Sequence, residues 1–277
     1  ESMAAEKDKT ESSELVAELV RHFLTQECAP GIEWEYNTVK SQLPGITLKE
    51  VNEVAKKIDI DEHFFALITA KDDPALPTDA ALLELVNNSI QSPIEAHTEK
   101  QIASSLLKTV PVAGKIVKEE SNSKIGTSTY TLNNGAVVTI KPTDFKNDEV
   151  LLSSFRFGGS SLYEGTDFQS GKLANRVVDE MGYGDFSKTD LEKYLFGKKA
   201  TVQTNFDDYT ENLSGSSSVK DIETMFQLIY LKCTAPRKDE TALRSYISRQ
   251  KQQFEMLMQS PEFAFTENTI VDMNQHH

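Results

Sequence analysis

Tyr130-Thr131-Leu132-Asn133-Asn134-Gly135-Ala136-Val137-Val138-Thr139-Ile140-Lys141 opens the stretch, running to Tyr209, from which the fold is read. Asn-Asn-Gly supplies residues that tolerate positive φ, as a tight turn between two right-twisted strands requires. A strand-like run, Glu149 to Phe157, follows and ends in Gly158-Gly159-Ser160-Ser161. Leu173, Val177, Val178 and Met181 then recur at helical spacing, which predicts a helix over Phe168–Met181. A second strand pair is expected near Lys199–Phe206 and Tyr209–Ser216. Hairpin, strand, Gly-Gly, helix and antiparallel pair together predict an α+β fold. The expected form is a set of two-layer α/β sandwiches, each a mixed, largely antiparallel sheet with helices on one face.

Working outward, residues 1–92 carry helical patterns. Leu15, Val16, Leu19, Val20 and Phe23 form an i, i+4 stripe over Glu14–Gln26 behind a Ser12-Ser13 cap signal, and Ala29-Pro30-Gly31 breaks it. Ile32–Leu43 is expected to be a second helix. Thr47-Leu48-Lys49-Glu50 reads as a capping box opening a third, through Ile58. His63–Ala70 is nearly continuous in apolar residues and predicts a buried strand, and Asp79–Ile90 a helix capped by Thr78 or Asp79. One strand cannot close a sheet. Residues 1–92 are therefore read as the C-terminal half of an α/β domain, residues 93–124 as a linker and residues 125–277 as the next α/β domain. The linker is expected to hold a short helix over Glu99–Leu107 and a strand at Lys115–Lys118. Val219–Cys233 and Asp239–Gln259 predict two further amphipathic helices. The chain then reaches His277 without a closing strand, so truncation is expected at both ends.

Composition excludes some classes. With 277 residues, 29 Lys and Arg against 43 Asp and Glu, and a net charge of −14, phosphate binding has no clustered cations to rest on. Nucleic acid is therefore not expected as a partner, nor is an anionic membrane surface. No apolar run approaches the roughly 20 residues of a spanning helix, and Glu1–Ser13 does not read as a signal peptide. Cys28 and Cys233 give no disulfide framework and are expected to be buried small hydrophobes.

The ordered motifs resemble the pitrilysin/insulinase-type zinc proteases, whose chains repeat an α/β domain. Leu19-Val20-Arg21-His22-Phe23-Leu24, Pro30-Gly31-Ile32-Glu33-Trp34-Glu35-Tyr36 and Thr47-Leu48-Lys49-Glu50-Val51-Asn52 look like the closing half of the family's second domain. Thr131–Val138 with Lys141-Pro142-Thr143 looks like the opening hairpin of the third. Phe157-Gly158-Gly159-Ser160-Ser161 and Asp208-Tyr209-Thr210 continue the match. The family's catalytic domain carries H-x-x-E-H on the helix after the Gly-rich strand end, where two imidazoles bind zinc and the glutamate is general base.

Here the matching positions are Asn175, Val178 and Asp179, and the distal ligand would fall near Arg249–Gln253, which holds no carboxylate. The resemblance therefore implies no catalytic residue, no metal ligand and no cofactor in this chain, with zinc in the catalytic domain of a parent peptidase. It also implies that the family's peptide-pairing edge corresponds to Val202-Gln203-Thr204, although an ordinary edge strand is the plainer reading of those residues.

The expected function is a non-catalytic segment forming part of a peptide-enclosing chamber. The expected partners are the catalytic half of the same polypeptide and peptide substrates, in the cytoplasm or periplasm of a bacterium. The alternative is a stand-alone peptide-binding or scaffold subunit resembling non-catalytic processing-peptidase subunits.

Other constellations have plainer readings. The five histidines show no ligand spacing, and Ser121-Asn122-Ser123-Lys124 matches S-x-x-K but lies in expected linker. Gly182-Tyr183-Gly184 is a helix stop, and the Asp59-Asp61-Glu62 and Asp72-Asp73 clusters are solvated loops.

Overall fold

A computed structural model of the chain describes residues 1–57, 65, 67–69, 76–93, 95, 98 and 101–275. The backbone divides into two compact units, residues 1–101 and 102–277.

The first unit is helical throughout its regular elements. It contains α1 (Ser2–Ala5), α2 (Ser12–Thr25), α3 (Ile32–Gln42), α4 (Leu48–Ala55) and α5 (Asp79–Gln91). The capping box forms as the sequence predicts. The Thr47 amide donates to Glu50 Oε2 at 2.8 Å, and the Glu50 amide donates to Thr47 Oγ1 at 3.3 Å. The Thr47 backbone N–H and hydroxyl hold the Glu50 carboxyl below its ordinary value. Of the strand expected over His63–Ala70, only residues 65 and 67–69 are described and they carry no strand; the rest lies outside the described residues. No described residue of this unit is buried.

The second unit holds two three-stranded sheets. Strands β1 (Ile116–Asn122), β2 (Thr127–Leu132) and β3 (Val137–Ile140) lie in the order β1-β2-β3. The Asn-Asn-Gly turn joins the last two, with Gly135 at φ +86° and its amide donating to the Leu132 carbonyl at 2.9 Å. Strands β4 (Val150–Phe157), β5 (Ala200–Phe206) and β6 (Thr210–Ser217) lie in the order β4-β6-β5. Every described pairing is antiparallel, so the parallel component of the expected mixed sheet is not found among the described residues. Helices α6 (Gly165–Met181), α7 (Lys188–Leu195), α8 (Ile222–Thr234), α9 (Glu240–Met258) and α10 (Pro261–Met273) complete the unit.

The core forms where α8 meets the inner face of the β4-β6-β5 sheet. Register aligns Val150, Ser217 and Ala200 in one row and Leu152, Gly215 and Val202 in the next. Met225, Leu228 and Leu231 of α8 are buried on this face, and the Met225 sulfur lies 3.0 Å from where a Cβ on Gly215 would sit. The alternate residues Leu151, Phe155 and Phe157 point to the other face and stay exposed. Helices thus cover one side of the sheet, as the α+β reading requires.

One expectation fails here and another is extended. No helix forms over residues 101–107, because Leu106 is buried in the core and Ile102 and Leu107 pack against it, which overrides helical periodicity. The strand expected at Lys115–Lys118 runs on to Asn122, because its partner β2 supplies bonds along that length. Helix α7 follows a Ser187 cap that the sequence reading passed over.

Candidate functional site

The turn after β4 positions α6. The Gly158 amide donates to the Tyr209 carbonyl at 2.9 Å, the Ser160 amide to Asp207 at 2.9 Å and the Ser161 amide to Asp208 at 2.8 Å. Gly159 sits at φ +74°, and a Cβ there would lie 2.2 Å from the Asp207 carbonyl oxygen, so no side chain fits. Ser160, buried, donates its hydroxyl to Asp208 Oδ1 at 2.9 Å. The Gly-Gly-Ser-Ser and Asp-Tyr-Thr stretches, far apart in sequence, are one clamp in space. From it α6 runs alongside β5.

Between α6 and β5 lies a polar cleft of about 370 Å³ whose walls include Arg176, Asp179, Gln203 and Asn205. Asn175 and Thr204 also line it, so the structure brings together two of the three motif positions and most of the expected edge. Asn175 donates its Nδ2 to the Thr204 carbonyl at 3.1 Å. Asp179, one turn later, accepts at Oδ1 from the Tyr183 hydroxyl at 2.5 Å and from the Lys232 ammonium. Lys232 comes from α8, its side chain is only 9 % exposed, and its Nζ stands 4.5 Å over the Tyr183 ring. Burial pushes the Tyr183 phenol well above its usual range, and the Asp179 carboxylate pushes it further. Val178 does not join the cleft residues: it packs against the buried cluster around Met225. Val202 packs there too, while Gln203 presents itself to the cleft.

The long helix α9 does reach α6, through Arg249. Its Nη2 lies 2.8 Å from Glu180 Oε2, and Lys188 Nζ lies 2.6 Å from Glu180 Oε1. The Lys188 bond first, and Arg249 after it, hold the Glu180 carboxyl below its usual range against the opposing effect of burial. Sequence reasoning missed Lys232, Tyr183 and Glu180. One signal was available: Lys232 follows Leu228 by four and Met225 by seven, which puts a cation on the apolar stripe of its own helix.

The remaining candidates do not converge. His22 lies against the Glu27 carbonyl; His63, His97, His276 and His277 lie outside the described residues. Among the described residues no group of three or more His, Cys, Asp or Glu is placed to hold a metal ion. Cys28 and Cys233 are both exposed, not buried as expected: Cys28 lies in the irregular segment between α2 and α3, and Cys233 follows the buried Leu231 by two on α8, off its buried stripe. Ser121 lies within β1, next to its last residue, and Lys124 follows in a turn, so no helix brings the lysine over the serine. No described helix is long and apolar enough to cross a membrane.

Comparison with known proteins places these features in context. No family model matches the chain. A zinc protease PQQL-like protein of Arabidopsis thaliana is 26% identical over 254 residues, covering 88% of this chain and 23% of the relative. A probable zinc protease PqqL of Haemophilus influenzae is 22% identical over 254 residues, covering 91% and 27%. The chain therefore spans about a quarter of the length of the curated relatives it matches. Among solved structures, the periplasmic protease PqqL from Escherichia coli aligns with a TM-score of 0.53 at 19% identity, over 94% of this chain and 29% of that one. The ferredoxin protease FusC, solved with Arabidopsis ferredoxin, aligns with a TM-score of 0.55 at 16% identity over the same shares.

Proposed function

The chain is a homologue of zinc proteases of the pitrilysin/insulinase type, and from that premise we propose that it is a non-catalytic segment of such a peptidase. Its role is to form part of the wall that encloses peptides and to support the catalytic half of the same polypeptide, which holds the zinc. Residues 1–92 are the closing half of one α/β repeat, 93–124 the connection, and 125–277 the next repeat. The apolar faces that α2 and α4 leave exposed support the first assignment, since such faces need a sheet to cover them.

One observation carries the non-catalytic reading: the Lys232 ammonium sits on the Asp179 carboxylate where a zinc-binding helix would need a ligand facing a metal. A divalent cation there would meet a like charge at contact distance. Asn175 offers no imidazole, and its carboxamide nitrogen is committed to Thr204. Val178 has no group to accept a proton from water, and it faces the core. The donor set does not fit zinc.

The net charge of −14 suits a wall facing basic peptides. The test is to incubate the purified chain with zinc, remove excess metal, and measure bound zinc and hydrolysis of a fluorogenic peptide mixture. The expected outcome is no stoichiometric metal and no hydrolysis. One zinc per chain together with hydrolysis overturns the proposal.

A further inference from the structure

Among the described residues β5 ends its sheet, so its outer backbone groups would be open to an incoming strand. Which groups those are follows from the register. The Ser218 amide donates to the Lys199 carbonyl and the Asp207 amide to the Thr210 carbonyl, each at 2.9 Å. These two pairs lie in one continuous antiparallel register with Thr201–Ser216, Gln203–Ser214 and Asn205–Asn212. Hydrogen-bonded and non-hydrogen-bonded pairs alternate in such a ladder. The odd-numbered residues of β5 therefore turn their N–H and C=O toward β6. Ala200, Val202, Thr204 and Phe206 turn theirs off the sheet.

Thr204 lies in the middle of the Val202–Phe206 part of this outer row, and its carbonyl is the one that Asn175 Nδ2 already occupies. An antiparallel strand added here would need both the N–H and the C=O of Thr204 for a hydrogen-bonded pair. We infer that Asn175 seals the β5 edge: its carboxamide stands in the place of the incoming strand's amide and keeps this cleft from pairing with extended peptides. The seal is set by the same helix that the Lys232–Asp179–Tyr183 cluster holds, one turn further along α6. The backbone from which Asn175 projects toward Thr204 is thus tied down one turn away, at Asp179. The cleft left beside it is lined mainly by polar residues, Lys172, Arg176, Gln203 and Asn205 among them, with Phe206 its one apolar lining residue, so it offers little to the apolar side chains of a bound strand. Val202–Thr204 becomes a pairing edge only when this bond is broken.

The inference needs neither zinc nor a parent protease, so its failure is distinguishable from failure of the non-catalytic reading. The probe is a fluorescein-labelled decapeptide of alternating Thr and Val with a lysine at each end. Wild type, Asn175→Ala and Asn175→Asp are compared by fluorescence anisotropy, after circular dichroism has established that each is folded. Asp keeps the shape of Asn but has no N–H to donate. Amide hydrogen exchange at Val202, Thr204 and Phe206 reports whether the peptide occupies β5. The expected result is protection of these amides in both variants and not in wild type, with binding about five- to tenfold tighter on losing one competing hydrogen bond. Equal protection in wild type, or no protection in the variants, overturns the inference. The wild-type exchange measurement can overturn it alone, whatever the variants do.

Discussion

Residues 1–101 and 102–277 both contain helices with well-separated apolar stripes, yet their stripes meet different fates. On α2, Leu15, Leu19 and Phe23 are 49%, 62% and 83% exposed, and no described residue of that unit is buried. On α8, Met225 is wholly buried and Leu228 and Leu231 nearly so. Periodicity names the face that water disfavours; it does not supply the surface that covers it. In the second unit that surface is the inner face of β4-β6-β5. In the first, the described residues offer no sheet, and the helices rest on local devices such as the Thr47–Glu50 box.

The largest expected effect sharpens this contrast. Met225→Ala should cost about 2–5 kcal/mol in chemical denaturation, as removal of a fully packed side chain does. Leu19→Ala should move the same transition by no more than about 0.5 kcal/mol, as at exposed positions. A large Leu19 effect would mean that the first unit is covered after all. Next, Gly159→Ala should cost about 1–3 kcal/mol, because the added Cβ collides with the Asp207 carbonyl at a left-handed φ. A melt unchanged by that substitution would break the clamp between the two turns.

Lys232→Met should cost about 1–2 kcal/mol, discounted because Asp179 is 46% exposed and keeps its Tyr183 bond. The Tyr183 phenol, watched by ultraviolet titration, should stay above its usual range, since burial is the first cause of its shift. Thr47→Ala should cost about 1 kcal/mol locally, read as faster amide exchange at the start of α4 with the second unit unaffected.

The smallest effect is the acid titration of one carboxylate in each unit. Glu50 and Glu180 are both held below their ordinary values. Each therefore adds stability above the ordinary carboxylate pKa, and that stability is lost as pH falls through the lowered folded value. Side-chain carboxyl NMR should show both midpoints below that of an unfolded glutamate. Arg249→Gln should raise the Glu180 midpoint only in part, because Lys188 is the larger cause.

Much of the second unit was legible residue by residue. Asn133-Asn134-Gly135 marked the hairpin, and of the three it is Gly135 that takes the positive φ the turn needs. The strand over Glu149–Phe157 and the helices at 168–181 and 239–259 followed from side-chain period alone. The helix expected at 99–107 misled for the complementary reason: Ile102, Leu106 and Leu107 have a period that either a helix or a docked irregular segment satisfies. At the candidate site, the sequence identified Asn175, Val178 and Asp179 as the motif positions. It did not reveal what they touch.

What the sequence by itself determined is the list of local choices: turns, caps, strand and helix spans, and the residue types at the motif positions. These depend on neighbours within about one helical turn or one hairpin. The tertiary structure decided that Lys232 neutralises Asp179 from a helix 53 residues away, that Arg249 reaches Glu180, and that Asn175 caps the outward carbonyl of Thr204. Those contacts depend on how α6, α8, α9 and β5 are brought together. No spacing along the chain encodes that, because burial of the shared apolar face sets the arrangement and the polar groups pair with whatever it places beside them.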